Sequence, residues 1–263
     1  MSDILETIVA HKRKEVELFK QELPLSSLES RVEIILSARA TSMAESLRNS
    51  DTGIIAEFKR KSPSKGWFNK DADVRTITRA YQENGATALS ILTDVNFFGG
   101  NNYDLRDANL AKVRLPKLYK NFIIDEYQLY QARLYKANAV LLIAACLSKD
   151  ECRQLMTKAH DLGMEVLLEM HSEAETEYAE LEPDMCGINN RNLGTFVTDV
   201  NNSVNLAARL PEDAVKVSES GISDPETVKM LRGLGYKGFL MGEHFMSTPD
   251  PGAALAQFIA RLQ

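Results

Sequence analysis

Short apolar segments of strand length alternate with longer amphipathic segments from Ile54 onward, and this alternation restricts the possible folds more than any other feature. Strands that alternate with helices pair in parallel through right-handed crossovers. Eight segments have the pattern of strands: IIAEFK from Ile54, ALSIL from Ala88, PKLYK from Pro116, AVLLIAA from Ala139, EVLLEM from Glu165, CGINN from Cys186, AVKVSE from Ala214 and GFLMG from Gly238.

The helices between these segments begin with recognisable capping signals. Three pairs of residues have the spacing of a capping box or its close relative: Asp125 with Gln128, Ser148 with Glu151, and Ser172 with Glu175. In DPETVKMLRGLG, Asp224 is the expected cap, Pro225 lies in the first turn and Gly235 follows the end. These signals predict helices that start just after the strands.

Eight such units predict a closed α/β fold, the (β/α)₈ or TIM barrel. A doubly wound open sheet is the alternative, but no GxGxxG sequence follows the first strand and the even spacing favours closure. Helical periodicity precedes the barrel at Ile4, Leu5, Ile8, Val9 and Val16. We therefore expect residues 1–263 to form a single barrel domain in which residues 1–53 are an N-terminal helical extension, packed as an extra layer.

The composition excludes several classes of protein. The 263 residues are 44% hydrophobic with a net charge of −6, which suits a large core and gives no reason to expect nucleic acid as a partner. No signal-peptide region opens the chain, and the longest uncharged apolar run, AVLLIAACL, is too short to cross a bilayer. The three cysteines form no CxxC pair and have no His at metal-ligand spacing. We expect a cytoplasmic protein that needs no membrane, disulfide framework or metal.

The first strand segment, IIAEFK, carries charged residues that a buried strand ordinarily lacks. Alternation along a strand places Ile55, Glu57 and Lys59 on one face. Parallel strands are covered on both faces, so this pair has no solvated side of the sheet to occupy. Its polar environment is expected to be the barrel mouth at the C-terminal ends of the strands, where active sites of this fold lie.

Polar side chains end other strands in the same way. The third strand ends in Lys120, the fifth in Glu169, the sixth in Asn189 followed by Arg191, and the seventh in Glu219 and Ser220. One charged residue at a strand end is ordinarily a solvated rim residue. Several lysines and glutamates that converge on one mouth instead predict proton transfer, because close charges and partial burial move pKa values apart. Glu165 shares the parity of Glu169 but falls at the barrel bottom, where we expect it to be solvated.

Glycines after the last two strands indicate phosphate binding. Gly221 in SESGIS and Gly242 in MGEHF would expose backbone N–H groups near helix starts, where barrels of this kind commonly hold phosphate. Ordinary turn glycines are the alternative. Ser62 and the cations around it are placed to close over the same group from the first loop. None of the four histidines has a partner that the sequence identifies, so none is predicted to be catalytic.

Seven motifs in order along nearly the entire chain carry a resemblance to a known family: AEFKRKSPSKG, SILTDVNFFGG, KNFIIDEYQ, GMEVLLEMH, GINNRNL, SESGI and GFLMGE. The chain resembles the indole-3-glycerol phosphate synthases of tryptophan biosynthesis. The resemblance implies a carboxy-lyase that converts carboxyphenylamino-deoxyribulose phosphate to indole-glycerol phosphate by ring closure, decarboxylation and dehydration. It implies no metal and no organic cofactor, and its partner is a small phosphorylated substrate.

By this resemblance, Lys120 is the general acid that protonates the substrate carbonyl oxygen as the aromatic carbon attacks. Glu169 is a catalytic acid/base carboxylate. Glu57 and Lys59 also match catalytic positions of the family. How these groups divide the proton transfers of dehydration stays open.

Four further residues match positions close to the substrate. Asn189 and Arg191 match polar groups that orient it, whereas Glu219 and Ser220 match a carboxylate and a hydroxyl beside it. All four lie at or just after the ends of the sixth and seventh strands, so they are expected at the same mouth.

The remaining matches concern the two ends of the substrate. The phosphate contacts implied are Ser62, Gly221, Gly242 and Glu243. Glu243 is expected to contribute its backbone, because its carboxylate would repel phosphate. Phe98 and Phe122 are expected to flank the aromatic ring.

Two positions depart from the family pattern. Where the family usually has Lys-Asp-Phe, this chain has Lys120, Asn121 and Phe122. The replacement of Asp by Asn removes a negative charge that would favour the charged form of Lys120, so that stabilisation is weaker or comes from other groups. His244 and Phe245 replace smaller or aliphatic residues, so the geometry of the eighth loop is open.

Two other functions compete with this interpretation. Phosphoribosylanthranilate isomerase, another phosphate-binding barrel of the pathway, would carry a cysteine at the first strand's end, where this chain has Glu57 and Lys59. A catalytically silent relative that serves as a ligand-binding or scaffolding subunit is the alternative from a different class, and the set Lys59, Lys120 and Glu169 argues against it. A monomer or a weak homo-oligomer is expected.

Overall fold

The computed structural model describes residues 4–36 and 41–262. Its centre is a closed barrel of eight parallel strands, with β8 hydrogen-bonded to β1. The strands are β1 Ile54–Phe58, β2 Ala88–Leu92, β3 Lys117–Lys120, β4 Ala139–Ile143, β5 Glu165–Met170, β6 Met185–Asn189, β7 Val215–Glu219 and β8 Tyr236–Met241. The predicted TIM barrel is confirmed and the open sheet is wrong. The largest difference in where a strand begins is at β8, which starts before the expected Gly238.

The helices alternate with the strands as predicted. They are α1 Ile4–Glu22, α2 Leu25–Glu33, α3 Met43–Arg48, α4 Val74–Glu83, α5 Asn102–Leu110, α6 Glu126–Leu134, α7 Lys149–Asp161, α8 Asn201–Leu206, α9 Pro225–Gly233, α10 Glu243–Met246 and α11 Pro251–Leu262. Single 3₁₀ segments cover Ala144–Cys146, Ala174–Leu181 and Ala207–Arg209. A small hairpin of Lys61–Ser62 with Gly66–Trp67 follows β1.

The capping signals act as the sequence indicates at three of these starts. Asp125 accepts a hydrogen bond from the backbone of α6, and Asp224 does so for α9. Ser148 and Glu151 form the reciprocal capping box of α7. After β5, however, Glu175 reaches back to the backbone N–H of His171, at 2.7 Å, and the chain continues as a 3₁₀ helix.

The barrel has separate inner and outer cores, as the alternation in β1 requires. Ile54, Ala56 and Phe58 join the large apolar cluster under the surrounding helices. Ile55 joins a smaller cluster inside the barrel, with inward residues of the other strands such as Leu118. Glu57 and Lys59 therefore project toward the mouth from the inner face.

The N-terminal extension does more than add a helical layer. α2 packs against α6 on the outside, as expected. α3 instead closes the barrel bottom, where Met43, Ala44 and Leu47 are buried within the inner cluster. α1 reaches the opposite end through a buried ion pair between Lys12 Nζ and Asp94 Oδ2, at 2.8 Å. The extension thus covers one end of the barrel and borders the other.

Glu165 corrects the expectation of a solvated residue at the barrel bottom. Its Oε2 accepts hydrogen bonds from the backbone N–H groups of Met43, at 2.6 Å, and Ala44, at 3.0 Å, and its Oε1 accepts one from the Ser42 hydroxyl. A carboxylate at a helix N-terminus satisfies free N–H groups and complements the helix dipole. Glu165 therefore fastens α3 to the start of β5.

Two of the three cysteines are buried as free thiols. Burial raises the pKa of Cys152 and of Cys186 to about 12, so neither is a reactive thiolate at neutral pH. Within residues 4–36 and 41–262, no helix has both the length and the apolar composition that a membrane span requires.

We predict that Glu165→Ala lowers the free energy of unfolding by roughly 1–3 kcal/mol, because two backbone donors of α3 lose a charged acceptor. Chemical denaturation measures the change. The exposed Glu177 provides a matched control, since Glu177→Ala is expected to change stability by less than about 0.5 kcal/mol. Equal stability of the two variants would show that the contacts of Glu165 do not hold α3.

Candidate active site

A cavity of about 500 Å³ opens at the C-terminal ends of the strands. All the predicted site residues except Ser62 line it: Glu57, Lys59, Phe98, Lys120, Phe122, Glu169, Asn189, Arg191, Glu219, Ser220, Gly221, Gly242 and Glu243. These residues come from seven of the eight strands or the loops that follow them. Barrel closure brings them together, because the strand ends of a parallel barrel meet at one mouth.

A buried charge cluster forms the floor of this cavity. Lys120 at the end of β3 lies between Glu169 of β5 and Glu219 of β7. Its Nζ is 3.1 Å from Glu169 Oε2 and also donates a hydrogen bond to Glu219 Oε2. Both carboxylates are almost completely buried. One cation is thus shared by two acids on the inner face of the barrel.

Burial and charge act against each other in this cluster. Burial alone would lower the pKa of Lys120, but the carboxylates of Glu219 and Glu169 outweigh it and raise the pKa above its ordinary value. Burial, with the nearby Glu169 charge, raises the pKa of Glu219 to about 7 despite Lys120. Burial opposes ionisation of Glu169 too, but Lys120 and His171 hold its pKa well below the usual range. The two carboxyls therefore differ in their affinity for a proton.

The pair from β1 lies beside this cluster. Lys59 Nζ is 2.6 Å from Glu57 Oε1, and both side chains are largely buried. Gly242 makes room for this carboxylate, because a Cβ at position 242 would lie 2.4 Å from Glu57 Oε1. Glu57 and Lys59 thus pair with each other at the mouth, which explains why a strand that is otherwise apolar carries two charged residues.

The glycine-containing loops border another part of the cavity wall. Ser220 and Gly221 both have left-handed backbone conformations, with φ of 68° and 75°. This conformation is rare for a serine and turns the chain sharply at the end of β7. The carboxylate of Glu243 faces cations, with Lys65 Nζ at 2.5 Å and Arg191 Nη2 at 3.6 Å. Two cations thus lie beside Glu243, the residue that follows Gly242.

Ser62 departs from its predicted position. Its side chain is buried inside the hairpin that follows β1, and its Oγ accepts a hydrogen bond from the backbone N–H of Lys65 at 3.3 Å. Pro63 lines the cavity in its place. The Ser62 hydroxyl stabilises the turn by accepting this N–H. Strand alternation alone does not predict such a contact within a turn.

Two aromatic rings form an apolar wall. The centroids of Phe98 and Phe122 are 6.0 Å apart, with 34° between the ring planes. Asp94 holds the loop of Phe98 by accepting backbone hydrogen bonds from Phe97, at 2.7 Å, and Phe98, at 3.3 Å. Because Asp94 is also the partner of Lys12, helix α1 supports this wall. Such a wall suits a flat aromatic group.

The two departures from the family pattern have different consequences. Asn121 points away from Lys120 into a buried network, where its amide donates to Thr93 Oγ1 at 2.7 Å and its Oδ1 accepts from the Phe122 backbone. Glu169 and Glu219 supply the negative charge beside Lys120 instead. His244 packs its ring against Phe258 at a centroid distance of 5.6 Å, and it also borders the cavity.

Several residues of the site were not predicted from the sequence. Ile4, Leu5 and Ile8 of α1 line the cavity. His171 Nε2 lies 3.1 Å from Glu169 Oε1. Gly187 of β6 leaves space for Glu219, whose Oε1 would be 2.6 Å from a Cβ at that position. His171 could have been predicted, since it lies two residues after Glu169 and its side chain is therefore expected on the same inward face.

No group of three or more His, Cys, Asp or Glu side chains in the described part of the chain is arranged to hold a metal ion. The charged residues at the mouth instead pair as acids with bases. The arrangement suits proton transfer to and from a bound substrate.

Comparisons with known proteins agree with the motifs. A family model described as indole-3-glycerol phosphate synthase matches residues 5–258. The chain is 55% identical to the indole-3-glycerol phosphate synthase of Bacteroides thetaiotaomicron, over the full length of both chains. It is 42% identical to the enzyme of that name from a Polaromonas species, over 98% of each chain.

Solved structures of other enzymes share the fold at low sequence identity. The 3-hexulose-6-phosphate synthase of Salmonella typhimurium superposes with a TM-score of 0.62 at 12% identity, over 80% of this chain and all of the other. The tryptophan synthase alpha subunit of Legionella pneumophila gives 0.61 at 12% identity, over 85% and 97% of the two chains. These two likenesses show the barrel fold alone. The family match and the curated relatives show more: the chain belongs to the indole-3-glycerol phosphate synthase family, the carboxy-lyases of tryptophan biosynthesis.

Proposed function

We propose that this protein converts carboxyphenylamino-deoxyribulose phosphate to indole-3-glycerol phosphate, carbon dioxide and water. The observation that carries the proposal is the buried Lys120, held between Glu169 and Glu219 on the floor of the mouth, in a chain of this family. The shared cation is a proton donor surrounded by acceptors. The protein would act in the cytoplasm as a monomer or weak homo-oligomer, without metal or organic cofactor.

The cavity has a distinct region for each part of this substrate. The aromatic ring lies against Phe98 and Phe122, whose apolar wall excludes water from one side. The phosphate lies at the loops of Gly221 and Gly242, where backbone N–H groups and nearby cations favour an anion. The carbonyl between these ends then falls above Lys120.

Ring closure begins when the ring carbon that bears the carboxylate attacks the carbonyl carbon. A carbon–carbon bond forms, and Lys120 donates a proton to the oxygen on which negative charge develops. The raised pKa keeps Lys120 protonated at neutral pH, so the proton is in place when negative charge develops on the oxygen. The bond to the carboxylate then breaks, its electron pair returns to the ring, and carbon dioxide leaves.

Dehydration completes the indole. The new hydroxyl leaves as water after it receives a proton from an acid, and a base removes a proton from the neighbouring carbon to form the double bond. Glu169, Glu57 and Lys59 border the same space and carry these transfers. Asn189 and Arg191 orient the substrate, and Ser220 contributes a hydroxyl beside it. Dehydration itself supplies one proton and removes one. The proton that Lys120 gave at ring closure leaves in the water molecule, so Lys120 takes up a proton from solvent before the site returns to its starting state.

The test is direct turnover. Purified protein is incubated with the carboxyphenylamino substrate while indole fluorescence and released carbon dioxide are followed. We expect the two products in equal amounts. Tight binding of the substrate without either product would instead identify a silent ligand-binding relative.

We predict that Lys120→Met lowers kcat by at least about 10²-fold, because the variant keeps an unbranched stem but loses the proton donor. Steady-state kinetics measure the effect. Lys117→Met is the matched control: Lys117 is a buried lysine of the same strand whose Nζ donates to Val113 O and Leu115 O, away from the mouth. Near-normal kcat in a folded Lys120→Met variant would remove Lys120 from the mechanism.

We predict that activity survives exhaustive dialysis against EDTA. The reason is that proton transfers suffice for each step, and the described side chains offer no cluster of metal ligands. Assays before and after dialysis, with and without added Mg²⁺ or Zn²⁺, measure this. Activity that disappears on dialysis and returns with a divalent ion would overturn the acid–base account.

We predict that residues 60–68 close further over a bound ligand. Lys65 Nζ lies 2.5 Å from Glu243 Oε1 and Lys61 Nζ donates to Asn96 O at 2.7 Å, so the loop carries cations that a bound phosphate or carboxylate would attract. Hydrogen exchange of this segment should slow when a product or substrate analogue binds. Unchanged protection while the analogue binds tightly would identify the hairpin as a permanently ordered basic loop.

A further inference from the structure

A second charged pair lies directly behind Glu169. His171, which follows the end of β5, places Nε2 3.1 Å from Glu169 Oε1 and Nδ1 3.3 Å from Glu175 Oε2. Its side chain is only 10% exposed, so these contacts are shielded from solvent. The mechanism above uses neither His171 nor Glu175.

The imidazole is held firmly in this position. Glu175 accepts a hydrogen bond from the backbone N–H of His171 at 2.7 Å and another from Ser172 Oγ at 3.2 Å. Asn202 donates its side-chain amide to His171 O and to Asn189 O, both at 3.0 Å. The residue is therefore fixed through its ring and through its backbone, and its orientation follows from its surroundings.

His171 makes the two carboxylates of the floor unequal. Glu169 has a partner on each oxygen, with Lys120 at Oε2 and His171 at Oε1. Glu219 shares Lys120 through Oε2, but its Oε1 is buried without a hydrogen-bond partner among the described residues. A carboxylate between two cations stays ionised, whereas a buried carboxylate with an unsatisfied oxygen takes a proton more readily.

We propose that His171 is a positioning residue that assigns the two carboxylates their roles, by holding Glu169 as the ionised base and leaving Glu219 as the group that binds a proton. This inference rests on the proposed function of the site. It extends that function by one step, since Glu175, His171, Glu169, Lys120 and Glu219 form a continuous row of alternating charge.

The titration properties of the row agree with this geometry. Burial alone would lower the pKa of His171, but the nearby carboxylates of Glu169 and Glu175 outweigh burial and raise the pKa to about 10. The charged groups that face the ring are these two carboxylates, and Lys120 and Glu219 lie beyond Glu169. His171 is therefore an imidazolium across the neutral range, and this charge is lost only as the pH rises toward 10.

The experiment compares kcat and KM of wild type, His171→Ala and His171→Gln. Loss of the imidazolium should lower kcat of His171→Ala about 10- to 100-fold, because Glu169 is neither oriented nor held ionised, while KM changes less than about threefold. His171→Gln retains an amide donor and should recover part of the loss. In both variants the acid limb of the pH profile should move to higher pH, since Glu169 lacks one cation.

His160 is a matched control. Its Nε2 lies 2.8 Å from Asp184 Oδ2, so it also forms a histidine–carboxylate pair, but at the opposite end of the barrel. His160→Gln should leave kcat and the pH profile unchanged. If it alters them as His171→Gln does, the effect belongs to any lost ion pair and the proposal is overturned.

A second readout does not depend on turnover. The four histidines give separate imidazole signals in NMR, and the signal missing from His171→Gln identifies His171. We expect this signal to remain that of an imidazolium at pH 8 in the wild type, and to titrate at lower pH in Glu175→Gln. Titration near the ordinary value of about 6.5 would overturn the proposal, even where His171→Ala fails to fold.

The outcomes separate this proposal from the function on which it rests. If the wild type does not turn over the substrate, the proposed function fails and the kinetic comparison is replaced by the NMR titration. If the wild type is active and a folded His171→Ala variant keeps its kcat, the positioning role alone is wrong.

Discussion

Closure of the parallel barrel is the constraint on which the other features depend. Each strand has its outward face covered by helices and its inward face filled by apolar side chains, so neither face offers solvent to a charge. α3 fills the bottom of the barrel. The mouth is then the remaining place where inward charged side chains such as Glu57 find partners. Fold and site follow from the same closed sheet.

The charges at the mouth are stable because they are arranged as an alternating row. Removing an isolated ion from water costs several kcal/mol, and a buried ion pair offsets this only with good geometry and further hydrogen bonds. Lys120 has two carboxylates, and Glu169 has two cations. Glu219 is the member with an unsatisfied oxygen, and burial together with the Glu169 charge raises its pKa. Buried groups with perturbed pKa values of this kind are where proton transfer is expected.

Much of this arrangement was predictable because it depends on short-range periodicity. Alternation along β1 placed Glu57 and Lys59 on the inward face, and the same parity placed Glu169 and Glu219 at the floor. Parity also extends to His171, one residue past the end of β5, but its role needs Glu175, which lies in a 3₁₀ turn rather than the expected helix. His171 was therefore not predicted as a site residue, because only residues up to the strand end were considered.

Other features depend on contacts between distant parts of the chain, and no local pattern specifies them. Glu165 caps α3, whose first residues precede it by more than a hundred positions. α1 reaches the cavity because Lys12 pairs with Asp94 far along the sequence. Ser62 is the opposite case, because its hydroxyl accepts the backbone N–H of Lys65 within the same turn and so does not line the cavity. The partners of Glu165 and Lys12, by contrast, come together only when the barrel has closed.

The unequal proton affinity of Glu169 and Glu219, the two carboxylates of the cavity floor, can be measured directly. In protein labelled with ¹³C at the glutamate carboxyls, NMR can follow each group through a pH titration, with Glu219→Gln and Glu169→Gln identifying the two signals. We expect Glu219 to take up a proton near pH 7, and Glu169 to stay ionised at pH values well below those at which a glutamate ordinarily titrates. A titration in which Glu169 binds the proton first, or in which both groups stay ionised at pH 5, would contradict this expectation.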